Sequence, residues 1–243
     1  MINDNERIDD LCLDGLKIIQ KLDGYAFTSD SVLLANFVKT KKNDKCVEIG
    51  VGSGIISILV NYKEQPQQII GFEIQEKYAE LATKNVQFNS INNITIVSDR
   101  VQNFQKYLDA GTVDVVFCNP PYFKYDSSVC GNAEERVVSR FDKELSLNDL
   151  FECSSKMLKY GGKMFFINDA QRLNECFCTM KKFNLSPKRM YFVHPNQNKN
   201  ATVFLCECIK GGKDGLIVMP TLFANNLDGD YIQTIQKLYK EKK

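Results

Sequence analysis

The 243-residue chain carries 31 basic and 30 acidic residues, for a formal net charge of +1, and is 44% hydrophobic and 25% charged. Such a composition excludes a disordered or fibrous chain, and the near-zero charge means that nucleic-acid binding must come from a local patch. At this length the chain buries a full core as one large α/β unit, and no apolar run reaches the ~20 residues that cross a bilayer.

The acidic start, Asn3-Asp4-Asn5-Glu6-Arg7-Ile8-Asp9-Asp10, is the opposite of a signal peptide, so a cytoplasmic location is expected. Leu11 to Asp23 holds apolar residues at mixed spacing and ends in the turn signal Asp23-Gly24. Ser29 or Asp30 is placed to cap a helix running to Val38. Cys46 to Ile49 reads as a strand, Gly50 to Gly54 as a loop, and Ile55 to Tyr62 as the start of a helix. A second strand covers Gln68 to Glu73. Gln75 to Asn89 is an amphipathic helix, with Tyr78, Leu81, Ala82 and Val86 on one face. Ile94 to Val97 is a third strand, Val101 to Leu108 a short helix, and Val113 to Phe117 a fourth strand. Leu147 to Lys159 is a helix closed by a Gly161-Gly162 C-cap, before a strand at Lys163 to Ile167. After a helix at Leu173 to Phe183, strands at Arg189 to Val193 and Ala201 to Ile209 form a terminal antiparallel pair, and Tyr231 to Lys242 reads as a short basic helix. Strands alternating with helices imply a doubly wound, parallel sheet.

Nine cysteines, an odd number with no secretion signal, read as reduced thiols. The pairs Cys176-Phe177-Cys178 and Cys206-Glu207-Cys208 lack the spacing of common zinc sites, so the expectation is small core residues and no metal.

Chemistry concentrates at strand ends, where open α/β sheets hold their ligands. Asn119-Pro120-Pro121-Tyr122 follows the fourth strand. Proline fixes φ, removes an N–H and forces the preceding residue into an extended conformation. The result is a stiff turn that presents an amide and outward carbonyls to a planar amino group, with the Tyr122 ring positioned to stack on the attached π system. Methyl transfer to an exocyclic amine suits that arrangement. Glu48-Ile49-Gly50-Val51-Gly52-Ser53-Gly54 is a strand and glycine-rich loop in G-x-G-x-G spacing, unlike a dinucleotide fingerprint or a phosphate-binding Walker loop. A tight turn without a ligand also explains such a loop. Glu73, at the end of the second strand, suits two ribose hydroxyls, and Asp99, after the third, suits an adenine amino group; each alone also reads as a turn or cap residue. Phe27 and Asp30 either close over a cofactor or serve as core and N-cap. His194, the one histidine, fits a structural edge position better than a catalytic role.

These features resemble the class I, Rossmann-like S-adenosylmethionine-dependent methyltransferases over roughly residues 25–210. The resemblance implies a seven-stranded sheet, mostly parallel with an antiparallel last strand, and S-adenosylmethionine as cofactor. Glu48, Gly50, Gly52, Gly54, Glu73 and Asp99 would bind that cofactor, and Asn119, Pro120, Pro121 and Tyr122 would form the amino-group methyltransferase motif. Residues 1–38 would supply an N-terminal segment and a cofactor-covering helix ahead of the methyltransferase domain at 39–243. More closely, the chain is similar to the bacterial valine-tRNA adenine-37 N6-methyltransferases. The resemblance lies in Leu16 to Gln20, Asp23 to Ala35, Ser139-Arg140, Leu158-Lys159-Tyr160-Gly161-Gly162 and Val193-His194-Pro195, with Ser139 in place of the usual alanine. A monomer acting on tRNA is implied.

Arg140, after the motif, is either a surface charge or a substrate contact. Between Glu175 and Glu207 lie Lys181, Lys182, Lys188, Arg189 and Lys199 with no acid, interleaved with Phe183, Tyr191 and Phe192; Lys237, Lys240, Lys242 and Lys243 form a second patch. Both patches read either as solvated faces or as phosphate contacts to RNA. Three alternatives stay open. A protein glutamine methyltransferase would carry a separate helical domain, for which there is no room before residue 25. A ribosomal guanine-N2 enzyme would carry a duplicated, larger architecture. A non-catalytic RNA-binding subunit would have no use for an intact Asn119 to Tyr122 motif.

Overall fold

The computed structural model describes residues 3–24, 27–120 and 145–224. Its centre is a nine-stranded sheet whose strands are β3 (Lys45–Ile49), β4 (Gln68–Glu73), β5 (Ile94–Ser98), β6 (Val113–Cys118), β7 (Leu158–Asp169), β8 (Leu185–His194), β9 (Val203–Lys210), β10 (Ile217–Val218) and β11 (Leu222–Phe223). The order is β10-β8-β9-β7-β6-β3-β4-β5, with β11 also on β8. β3 to β7 pair in parallel, while β9 runs antiparallel to both β7 and β8. The seven strands β3 to β9 form the expected sheet with its antiparallel last strand. The two-residue strands β10 and β11 are additions that the sequence did not signal.

Alternation along each strand divides the core. Val115 and Phe117 of β6 face α1 (Ser29–Phe37) and α2 (Ile55–Glu64), as do Phe165 and Ile167 of β7. Val116, Cys118, Met164 and Phe166 face α4 (Leu147–Met157) and α5 (Leu173–Lys182). Helices on both faces explain why the parallel strands read as continuous apolar runs. Cys46, Cys118, Cys153, Cys176, Cys206 and Cys208 are all buried, and burial pushes their thiols up. Among the described residues no cluster of three or more metal-ligating side chains occurs, and no helix is long and apolar enough to cross a membrane.

Three expectations change. Leu147 to Lys159 does not end in a glycine cap: the helix stops at Met157 and β7 starts at Leu158, whose extended backbone pairs with Val113. Burial of Met157 and Leu158, each 0% exposed, ends the helix by tertiary pairing. Gly161 (φ +80°) and Gly162 instead lie in β7 beside a shift in its register with β6, where a Cβ on Gly162 would come within 2.9 Å of the Lys159 carbonyl. The N-cap of α1 is Thr28, without a side-chain capping bond, while Ser29 and Asp30 lie inside the first turn. Val101–Lys106 is a 3-10 turn.

An N-terminal hairpin of β1 (Glu6–Asp10) and β2 (Lys17–Lys21) packs on α3 (Glu76–Phe88). Its attachment is polar. The Asn85 amide accepts from the Ile19 N–H (2.7 Å) and donates to the Ile19 and Ser53 carbonyls (both 2.9 Å). One turn on, Asn89 accepts from the Lys17 N–H (3.0 Å) and donates to its carbonyl (2.8 Å). Four residues of helix rise about 6 Å and two residues of strand about 6.6 Å, so asparagines at i and i+4 imitate an edge strand. Asn85 is 0% exposed. Asn85→Ala leaves three buried backbone groups unpaired and is expected to destabilise the protein by about 3 kcal/mol, against about 1 kcal/mol or less for Asn89→Ala at the more open position. Urea unfolding midpoints compare the two.

Candidate active site

The C-terminal ends of β3, β4, β5 and β6 lie along one edge of the sheet because these strands are parallel. The glycine-rich loop leaves β3 there. Gly50, Gly52 and Gly54 all have positive φ (+74°, +56° and +86°), and a Cβ on Gly50 or Gly52 would meet nothing within 4 Å. The loop therefore presents backbone to an open space that side chains would otherwise fill. Gly54 serves packing instead, since its Cβ would touch Ala82 of α3 at 3.4 Å.

One buried acid holds the loop and a second holds the start of the helix that follows it. Glu73 accepts from the Gly52 N–H (2.9 Å) on one oxygen and from the Gln75 N–H (3.0 Å) on the other, and is 4% exposed. Each carboxylate oxygen has two lone pairs, so one side chain can fix the loop and also accept from a pair of ligand hydroxyls. Glu48 lies in β3, 0% exposed, with one oxygen accepting from the Ser57 N–H (3.0 Å) and hydroxyl at the start of α2. Its other oxygen has no hydrogen-bond partner among the described residues. Burial pushes this carboxyl up to about 8 against the Ser57 bonds, which lower it. A raised folded value means that the folded state holds a proton the unfolded chain has released. The associated stability is complete below about 4.5 and is lost as pH rises through about 8. Glu48→Gln, uncharged and isosteric, is expected to raise Tm at pH 8 by several degrees more than at pH 5, as read by thermal melts at the two pH values.

Asp99 stands beyond β5 and serves its own turn. One oxygen accepts from the Arg100 N–H (2.8 Å) and the Asn103 amide (2.7 Å), the other from Tyr107 (3.0 Å) and Lys106 (3.3 Å). The Asn103 bond leads in lowering its value to about 2. These four donors match the acceptor capacity of a carboxylate, so an adenine amino group there would have to replace one, the long Lys106 contact being the weakest.

Asn119 and Pro120 follow β6 on the same edge, and the Asn119 amide Nδ2 donates to the Ser31 hydroxyl in α1 (3.2 Å). The first turn of α1 is thus brought to the Asn-Pro turn. Phe27 packs against the core below α1, and its N–H donates to the buried Gln20 (2.9 Å). Asp30 lies in the first turn of α1, where a negative charge favours the helix dipole. Pro121, Tyr122 and Arg140 lie outside the described residues, as do Lys237 to Lys243 and the basic helix expected around them.

Of the first basic patch, Lys181, Lys182, Lys188 and Arg189 are not brought to this edge. α5 runs back from the end of β7, so exposed Lys181 and Lys182 sit at the opposite edge of the sheet. Lys188 donates to the Lys213 carbonyl. Arg189 pairs with Glu207, which also holds Lys163 (3.0 Å), and lies 5.4 Å over the Phe37 ring. Lys199, in the turn between β8 and β9, shares the Asn119 edge. His194 is structural: its Nδ1 meets the Lys199 carbonyl at 2.7 Å and its ring stands edge-on to Phe223. Ser31, Ser57, Gln20 and Asn85 were given no role from the sequence. The one signal was spacing, since Ser57 falls in the first turn of a helix that follows a glycine loop.

A curated tRNA1(Val) (adenine(37)-N6)-methyltransferase of Aliivibrio salmonicida is 24% identical over 226 residues, covering 89% of this chain and 91% of the relative. A Methanocaldococcus jannaschii protein named for N5-glutamine methylation of protein is 34% identical over 110 residues, covering 45% of this chain and 53% of the relative. A crystal structure from Agrobacterium tumefaciens, described as a predicted O-methyltransferase, superposes with a TM-score of 0.68 at 18% identity over 86% of this chain and 95% of that one, which establishes the shared fold. The model of the methyltransferase small domain matches residues 26–184, from just ahead of α1 to just past α5. That stretch contains the glycine loop, the acid that holds it and the Asn-Pro turn on a single sheet edge, and this chain belongs to the methyltransferase small domain family.

Proposed function

We propose that the protein transfers a methyl group from S-adenosylmethionine to N6 of an adenine in tRNA, at position 37 of a valine tRNA. The tRNA reading is supported by similarity that runs nearly the whole length of both chains to a tRNA1(Val) adenine-37 enzyme, whereas similarity to the glutamine methyltransferase stops at about half of each. The amine reading is carried by the Asn119-Pro120 turn, anchored to α1 at the sheet edge that also bears the glycine loop. A cytoplasmic setting belongs to the same proposal.

The residues present fit the cofactor: an open glycine backbone, and a buried acid positioned for hydroxyls beside it. Bound there, S-adenosylmethionine supplies an electrophilic methyl group on a sulfonium. Gly50 and Gly52 admit it closely, and Glu73 accepts from its ribose. The Asn119 Oδ1 and the Pro120 carbonyl accept the two N6 hydrogens, which aims the nitrogen lone pair along the transfer axis and stabilises positive charge as it develops. Tyr122 stacks on the adenine, worth about 1–3 kcal/mol. Positioning supplies most of the acceleration, and the N6 proton leaves to water after transfer. An unstacked loop nucleotide lowers the cost of presenting the base. Lys199, on the Asn119 edge, is a candidate for a backbone phosphate; Arg140 is a candidate from the sequence alone. Contacts from Lys181, Lys182, Lys188 or Arg189 would require the RNA to pass around the sheet.

Labelled S-adenosylmethionine offered with the tRNA, ribosomal RNA and protein fractions of cells lacking the enzyme tests the reading. Label recovered as N6-methyladenosine supports it. Label confined to protein glutamine, or to guanine of ribosomal RNA, replaces it with the corresponding alternative.

A further inference from the structure

We infer that Asn85 is a positioning residue for the cofactor: it ties the glycine loop to the N-terminal hairpin, and that tie raises the affinity for S-adenosylmethionine. This rests on the glycine loop as the cofactor's seat and not on the choice of methyl acceptor. A turn with glycine at every second position has wide backbone freedom, so its shape must come from what surrounds it. Glu73 holds it from the end of β4, through the Gly52 N–H at 2.9 Å. Asn85 holds it from α3, through the Ser53 carbonyl at 2.9 Å. The N–H of that same Ser53–Gly54 peptide donates to the Val51 carbonyl at 2.9 Å, so the peptide is fixed at both ends. One turn earlier in α3, Ala82 lies where a Cβ on Gly54 would touch it at 3.4 Å, which seats the helix against the loop.

The remaining bonds of Asn85 go to the hairpin. Its Oδ1 accepts from the Ile19 N–H at 2.7 Å, and its Nδ2 donates to the Ile19 carbonyl at 2.9 Å. A backbone N–H only donates and a carbonyl only accepts, so these partners allow the amide one orientation. Asn85 is 0% exposed and Ile19 1%, so solvent does not replace a lost partner. Ile19 also clusters with Tyr78 and Leu81 of α3. Order in the hairpin therefore holds the amide, and the amide holds the Ser53 carbonyl. Asn89 grips the same hairpin, but its bonds go to Lys17 and to the Asn85 carbonyl. It separates an effect on the hairpin from an effect on the loop.

Calorimetry of S-adenosylmethionine binding to the full-length wild type, Asn85→Ala and Asn89→Ala tests this. With the Ser53 carbonyl released, only a fraction of the protein holds the loop in its binding form, and Kd rises by the inverse of that fraction. Asn85→Ala is expected to raise Kd about tenfold at full binding stoichiometry, and Asn89→Ala to leave Kd within about twofold of the wild type. The inference is overturned if Asn85→Ala keeps the wild-type Kd, or if Asn89→Ala raises Kd equally. Hydrogen exchange of the wild type, with and without cofactor, decides the question where Asn85→Ala does not fold. Coupling between two sites is reciprocal, so the cofactor is expected to slow exchange about tenfold around Ile19 as well as in the glycine loop, with β8 and β9 changed less than about twofold. No slowing around Ile19, or equal slowing in β8 and β9, overturns the inference. Cofactor binding that leaves exchange in the glycine loop unchanged is a separate result, which moves the cofactor's seat elsewhere and removes this inference with it.

Discussion

Asn119→Ala is expected to lower kcat by about two to three orders of magnitude, the loss seen when a single preorganised hydrogen-bonding group is removed from a developing charge. The Asn119 side chain lies beyond β6, on the sheet edge shared with the glycine loop and Glu73, and donates to Ser31. Truncation therefore leaves Glu73, which holds the loop, in place, and S-adenosylmethionine Kd should stay within about threefold of the wild-type value. Single-turnover methylation with saturating cofactor, beside calorimetry of cofactor binding, separates the two quantities. A fall in rate with a parallel collapse of cofactor binding would mean that Asn119 supports the fold of the site instead.

The opposite pattern is expected at Glu73. Its two oxygens hold the Gly52 and Gln75 N–H groups while facing the position assigned to the ribose. Glu73→Gln turns one oxygen into a donor that opposes a backbone N–H, and it removes the charge from the remaining bonds. Hydrogen bonds to charged groups contribute about 1.5–3 kcal/mol, so the cofactor Kd should rise about 10- to 100-fold. Activity at saturating cofactor should recover most of the wild-type kcat, because the amine-orienting turn is untouched. An unchanged Kd would place the ribose elsewhere and leave Glu73 as a loop brace.

Features fixed by local sterics were the legible ones. Alternating strands and helices, the positive-φ glycines of the loop, the acid closing β4 and the Asn-Pro turn all announce themselves within a few residues, and the sheet is mostly parallel with the expected antiparallel β9. Features set by distant partners were not. Glu6–Asp10 looks like a charged coil, and it is a strand because Lys17–Lys21 pairs with it and α3 asparagines hold that partner. Gly161-Gly162 has the form of a helix cap, but burial of Leu158 against Val113 starts the strand first. Asp99 reads equally as ligand acid or turn anchor, and only the donors gathered by Val101–Lys106 and Tyr107 show how the turn uses it. Lys181 and Lys182 cluster in sequence with Lys199, yet α5 returns them to the far edge while the turn after β8 carries Lys199 to the near one. The direction of a crossover helix follows from a parallel sheet, so that separation was within reach of the sequence.

The central claim is that the Asn119-Pro120 turn delivers the N6 amine of adenine 37 in a valine tRNA. Nucleoside mass spectrometry on valine tRNA transcripts, incubated with the protein and S-adenosylmethionine, tests it most directly, with a transcript carrying guanine at position 37 as control. N6-methyladenosine in the adenine-37 transcript, absent from the control and from reactions with Asn119→Ala, is the predicted result. Equal methylation of both transcripts, or methylation that survives Asn119→Ala undiminished, would contradict it.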